Sequence, residues 1–234
     1  SRQDTKKSGK PAVMYKESTC VEGITHGATR LLKDFLYDGT QRPIVGQIYG
    51  HTPKDFRTVA LIVCQLGFDG VDINMGCPAK TVTHLGSGAA LIRTPKLAQE
   101  IIKAVKDGVE DWYNGKTVMD TDLSDEIKAE VMSRSGLFLT ESENHREKIP
   151  VSIKTRIGFE KPVIEEWIPN LLEMEPDAIA LHGRTLNQRY AGFADWEQIG
   201  KATEIVKKTP TLMMGNGDVK TVKEAKEKMA QYGL

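Results

Sequence analysis

Three stretches of this chain share one punctuation: a proline opens a short apolar run and a glycine closes it. They are PIVGQIYG at 43–50, PVSIKTRIG at 150–158 and PTLMMGNGD at 210–218. Proline is tolerated at the first residue of a strand, and glycine marks the exit into a turn. Each run leads through a loop into a segment with apolar residues at helical spacing. After the first, Thr52-Pro53 supplies an N-cap and a first-turn proline, and Phe56, Val59, Ala60 and Val63 fall on one face before Gly67. No hairpin signal joins two alternating runs. Strand, loop and helix in strict rotation indicate a parallel sheet covered by helices, an α/β fold.

The rest of the chain fits the same rotation. Val13–Thr19 reads as a strand, Gly23–Gly27 as a loop, and Ala28–Phe35 as a short helix. Val71 and Ile73 alternate with Asp72 and Asn74 in a further strand. Thr94-Pro95 starts a helix with Leu97, Ala98, Ile101, Ile102 and Val105 on one face and Gly108 as its stop. Val163–Leu172 is a helix that Pro169 should kink. Asp177–Leu181 is a strand ending at His182, Asp195 with Gln198 opens a helix through Val206, and Thr221 with Glu224 caps the last one. About six strands result, against eight for a closed barrel, which typically takes about 250 residues. The expectation is an incomplete (β/α)8 barrel, its first and last strands missing; an open doubly wound sheet fits the same pattern.

Residues 1–10 read as a polar tail and 11–234 as one domain. Within it Glu110–Lys148 is long, charged and weakly periodic, so it reads as an insertion, partly helical over Ser124–Met132. The start lacks an initiator methionine and the apolar core of a signal peptide, which points to a piece of a longer chain. Lysine plus arginine equals aspartate plus glutamate at 32 each, so any contact with nucleic acid must come from a local basic patch. Cys20, Cys64 and Cys77 fit no zinc spacing, and no metal site is expected; a reducing, cytoplasmic compartment suits them. No apolar run approaches the roughly 18 residues of a membrane span.

Five expected strands carry a polar group at or just beyond their C-terminal end: Gln47, Asn74, Lys154, His182 and Asn216. Barrel enzymes build their sites at that end, where strands converge on one ligand. Each residue alone reads equally as a strand end meeting water, but five in phase favour a shared site. Lys154 stands between Ile153 and Ile157, where an ammonium is costly to bury without an anionic partner. Cys77 lies between Gly76 and Pro78, outside any apolar periodicity. Its thiol is mostly protonated at neutral pH and suits a proton donor; as a nucleophile it would call on His84 or His182 as base. Gly86–Ala90 and Gly215–Asp218 are glycine-rich loops that either cradle an anion or simply turn. Lys80, His84, Arg93, Arg156, Arg184 and Arg189 fall in loops on the same face, as an RNA-backbone footprint or as solvated charges.

The motifs FDGVDINMGCPAK, GSGAALI, SIKTRIG, LHGRTLNQRYAGFADW and MGNGDV, in this order, resemble the tRNA-dihydrouridine synthases. The resemblance implies a flavin-binding β/α barrel, with FMN reduced by NADPH and tRNA as partner, in a cytoplasmic monomer. It implies that Cys77 protonates C5 of a uracil whose C6 receives hydride. Gln47, Lys154 and His182 would then lie against the flavin, with Asn216, Gly217 and Asp218 by its phosphate. Asn74 and Arg184 would hold the flipped uracil. Another flavin barrel, acting on a free pyrimidine or a dihydroorotate-like molecule, is the alternative. Thr81 and His84 stand where the family's loop often carries lysines, and no Ala-Pro-Met strand precedes residue 11.

Overall fold

The structure, a computed structural model, describes residues 12–135 and 146–234. The expected polar tail lies outside them. The strands of the described residues join one parallel sheet: β1 (Met14–Tyr15) and β2 (Thr19–Cys20) both pair with β3 (Ile44–Tyr49), followed by β4 (Gly70–Met75), β5 (Val151–Arg156), β6 (Ala178–His182) and β7 (Leu212–Asn216). Neighbours in the sheet are neighbours in sequence, with no reversal of strand order. A doubly wound sheet would reverse at a switch point, so the structure settles the fold as an incomplete β/α barrel.

β1 and β2 are the two halves of the strand expected at Val13–Thr19. Tyr15 pairs with Val45 and Thr19 with Ile48, so four steps on one strand match three on its partner. The extra residue breaks the ladder as a bulge does. Six strand positions therefore stand where a closed barrel has eight.

The helices α1 (Val21–Thr25), α2 (Pro53–Gln65), α3 (Lys80–Thr83), α4 (Pro95–Tyr113), α5 (Asp125–Arg134), α6 (Ile164–Leu172), α7 (Trp196–Val206) and α8 (Val222–Tyr232) accompany the sheet. Two expectations on glycine fail. Gly23 sits inside α1 rather than in a loop, because Val21 and Ile24 are wholly buried and Leu31 closes against the bare Cα. Gly108 does not stop α4. It lets that helix approach α2, and a Cβ there would press into the Arg57 carbonyl oxygen and stand 3.0 Å from the Ala60 methyl. Thr52 does not cap α2 with its own hydroxyl; the Glu22 carboxylate accepts from the His51 and Thr52 amides at 2.7 and 2.9 Å. α6 runs through Pro169.

The expected insertion is in part an extension of α4 as far as Tyr113, and Ser124 caps α5 as anticipated. Buried Ile127 and Val131 dock α5 on the barrel. Gln65 tethers the segment, accepting from the Val118 amide at 2.7 Å and donating to the Ser135 hydroxyl at 3.1 Å. Residues 136–145 of that stretch lie outside the described residues.

The strands separate two environments by their period of two. Val71, Ile73, Ile153, Ile179 and Leu181 face the helices with at most marginal exposure, each contributing about 1.5–3 kcal/mol of burial. Their neighbours Asp72, Asn74, Ser152, Lys154 and His182 face the other way, into the barrel.

Candidate active site

Strand register sets the inward-facing residues in steps. Gln47 pairs with Asp72 and Asp72 with Ser152; one step on, Asn74 pairs with Lys154; a further step brings Arg156 beside His182 and His182 beside Asn216. The steps climb across the sheet, so polar side chains from five strands reach one rim. There they line a cavity of about 600 Å³ with Cys77, Tyr15, Met214 and Tyr190. That volume falls within the usual range of a small-ligand site.

Asn74 is the hinge of the site. Its Oδ1 accepts from the amides of Gly76 at 3.1 Å and Cys77 at 2.9 Å, which folds the strand end back and presents the thiol to the cavity. Its Nδ2 donates to Gln47 Oε1 at 3.1 Å. The glycine-rich loop closes on the far side of this turn: Ala89 donates to the Cys77 carbonyl at 3.1 Å. At Gly88, with φ +60°, a Cβ would stand 2.9 Å from that carbonyl oxygen. The loop thus buttresses Cys77. The thiol makes no hydrogen bond to a histidine among the described residues, and His84 is exposed and off the cavity wall. Nothing in the geometry activates Cys77 as a nucleophile.

The same cavity is lined by groups that want a partner. Lys154 has no carboxylate within 4 Å among the described residues, and burial, with the Arg156 charge beside it, pulls its ammonium below the ordinary lysine value. His182 is pushed down to about 4 by burial, then by the charges of Arg156, Lys154 and Arg184, so its imidazole is neutral at neutral pH. Its Nδ1 is buried and finds no hydrogen-bond partner among the described residues. An orphaned ring nitrogen beside an unpaired ammonium is an arrangement that a polar, electron-rich ligand would complete.

The two inner arginines are not solvated charges. Arg156 is 4% exposed and donates to the carbonyls of Gly76, Thr185 and Arg189 at 2.7, 3.1 and 3.2 Å. Arg184 reaches both Asp218 oxygens at 2.8 and 2.9 Å and the Gly192 carbonyl at 2.8 Å. Asp218 also accepts from the Ala194 amide at 2.6 Å. Arg184, Gly217 and Asp218 lie off the cavity wall, binding the 184–195 loop to the turn after β7. Lys80, His84, Arg93 and Arg189 are exposed, and Arg93 pairs with Glu160 while lying 3.6 Å over the Phe159 ring.

Sequence reasoning missed Asp72 and Ser152. Asp72 is wholly buried beneath the cavity, accepting from Ser152 Oγ at 2.6 Å and Gln47 Nε2 at 2.7 Å. Burial pushes its carboxyl up to about 6, against the pull of those hydrogen bonds and of Lys154. The signal was present: Asp72 stands two residues before Asn74, hence on the same face.

Comparisons with known proteins point to one family. The family model for dihydrouridine synthase matches residues 1–134 and 140–234. The chain is 27% identical to a probable tRNA-dihydrouridine synthase 2 of Bacillus subtilis (strain 168) and 26% identical to a probable tRNA-dihydrouridine synthase of Staphylococcus aureus (strain COL). Each match takes in all of this chain and 61% of the relative, so the chain spans about three fifths of their length. Among solved structures, DHODH from Eimeria tenella, in complex with ferulenol, superposes with a TM-score of 0.51 over 89% of this chain and 55% of that one. At 11% identity that likeness supports the barrel fold alone. No helix among the described residues is long and apolar enough to cross a membrane.

Proposed function

The chain belongs to the dihydrouridine synthase family, and from that premise we propose that its cavity seats FMN and a uridine of tRNA, whose C5–C6 double bond the full-length enzyme reduces. The observation that carries this is one cavity lined by Cys77 together with His182 and with Lys154, which has no carboxylate partner among the described residues. Lys154, His182, Gln47 and Asn216 suit a flavin: a cation for its electron-rich edge, a neutral ring nitrogen wanting one hydrogen bond, and two amides that donate and accept. Bound there, FMN supplies hydride for C6 of the uracil and is restored by NADPH.

The chain's own residues handle the proton. Cys77 gives its thiol proton to C5 and recovers one from solvent. Asn74 keeps the thiol on station by holding the Gly76 and Cys77 amides. One Nδ2 hydrogen of Asn74 remains for the uracil, whereas Arg184 is bound to Asp218 off the cavity wall; Tyr190 lines the cavity as well. The three free cysteines suit a cytoplasmic enzyme.

The test gives the flavin-loaded full-length protein NADPH with unmodified bulk tRNA, and separately with free uracil and orotate. Dihydrouridine in tRNA is expected. Turnover of the free bases alone would overturn the reading in favour of a small-molecule dehydrogenase.

A further inference from the structure

A buried carboxylate beneath the cavity has a place in the site that the proton transfer itself does not use. Asp72 is wholly enclosed on a floor made by β3, β4 and β5. Taking a carboxylate out of water is expensive unless it is hydrogen-bonded, and here both oxygens are: Oδ1 by Ser152 and Oδ2 by Gln47. From there the contacts run on in one direction. Gln47 Oε1 accepts from Asn74, and Asn74 Oδ1 accepts from the amides of Gly76 and Cys77.

We propose that Asp72 is a positioning residue for Cys77: its carboxylate dictates which way the amides of Gln47 and Asn74 point, and through them holds the turn that carries the thiol. The reasoning is one of donors and acceptors. An ionised carboxylate only accepts, so Gln47 must turn its N–H toward Asp72. That leaves Oε1 toward Asn74, which must then answer with its own N–H. The Asn74 carbonyl oxygen is thereby left facing the loop, where two backbone N–H groups meet it. Reversing the Asn74 amide would set N–H against N–H at the Cys77 turn, and reversing Gln47 would set N–H against N–H at Asn74 and oxygen against the carboxylate. Local packing around Asn74 does not impose this polarity, since an amide is nearly the same shape either way round. The run is fixed at both ends, by the Gly76 and Cys77 N–H groups that only donate and by the carboxylate that only accepts, and without Asp72 the Gln47 end is released. With its carboxyl at about 6, Asp72 is ionised at neutral pH, and the ordering is in force where the enzyme works.

This inference rests on the proposed role of Cys77, and its test keeps the two apart. In the full-length protein, flavin-free and flavin-loaded, the alkylation rate of Cys77 by iodoacetamide reports the turn directly, without any reaction on tRNA. Asp72→Val removes the acceptor while keeping a strand-forming residue. It is expected to change the Cys77 alkylation rate at least fivefold. It should also slow dihydrouridine formation tenfold or more, with flavin reduction by NADPH within threefold of wild type. Asp72→Asn is expected to restore both, because its side-chain oxygen can accept from Gln47 while its N–H goes to Ser152. Should Asp72→Val not fold, Asp72→Ser, whose shorter side chain falls short of Gln47, carries the same expectation. Wild-type alkylation and product rates in the Val or Ser variant would overturn the proposal, as would Asp72→Asn failing as badly as Asp72→Val. If wild type modifies no tRNA yet the alkylation pattern holds, the proposed function falls and the positioning stands.

Discussion

Replacing Asn74 by alanine removes the hinge of the site at a cost that can be worked from its contacts. The side chain is 8% exposed and makes three hydrogen bonds: two accepted from the amides of Gly76 and Cys77, one donated to Gln47. The Gly76 amide is buried, so leaving it unsatisfied costs about 1–3 kcal/mol. The Cys77 amide and the Gln47 oxygen border the cavity, where water replaces much of what is lost. The sum is about 2–4 kcal/mol, which in a chain of this size lowers the melting temperature by roughly 5–15 °C. Asn74→Asp retains the acceptor for both amides and loses only the donor, so its loss should be the smaller. Thermal unfolding of the flavin-free full-length protein measures both. A melting point for Asn74→Ala within about 1 °C of wild type would refute the hinge, because no relaxation of the loop restores three lost hydrogen bonds without cost.

Other perturbations test the fold and the cations. In Gly108→Ala, the gain in helix propensity of about 1 kcal/mol is outweighed by a methyl forced into the Arg57 carbonyl; α2 and α4 must part, and calorimetry should show net destabilisation of about 1–3 kcal/mol. A stabilised variant would mean that the helices are not in contact there. Lys154→Ala removes a cavity cation that has no carboxylate partner among the described residues, and flavin titration should show affinity about tenfold weaker, a loss of about 1.4 kcal/mol. Unaltered flavin affinity and reduction rate would count against that role. His182 sits at about 4 when folded, below its ordinary 6.5, so its contribution to stability is fully present above pH 6.5 and is lost as pH falls through 4. Wild type should therefore lose more stability than His182→Gln between pH 7 and 4.5. Asp72, raised to about 6, works in the opposite sense, but equally in both proteins. Parallel stability curves would contradict the burial of His182.

Much of this architecture was legible before any coordinates. Proline-opened, glycine-closed runs located β3, β5 and β7 because those residues punctuate strands for steric reasons that tertiary packing does not override. The inward polar residues at five strand ends were legible for the same reason: period two is a property of the strand itself. Glycine was misread at Gly23 and Gly108 because its propensity argues for a break, whereas the close approach of Leu31 and of Arg57 requires the absent side chain. Open sheet against barrel was not decidable, since strand order is a long-range fact that punctuation does not carry. Asp72 was passed over as the polar half of an alternation. Its burial depends on what Gln47, Ser152 and Tyr15 bring from other strands, and no local pattern encodes that. Arg156 and Arg184 were legible only as loop cations, for RNA backbone or for water, with Arg184 assigned to the uracil by resemblance; the carbonyls that enclose them come from the Cys77 turn and the 184–195 loop, which no local pattern encodes.

The most direct measurement compares Cys77→Ala with wild type in the flavin-loaded full-length protein, following flavin reduction by NADPH and dihydrouridine formation in tRNA separately. The cavity geometry predicts that flavin content and reduction persist in the variant while dihydrouridine formation is lost. An unchanged yield of dihydrouridine would mean that the thiol on the Asn74 hinge is not the proton donor.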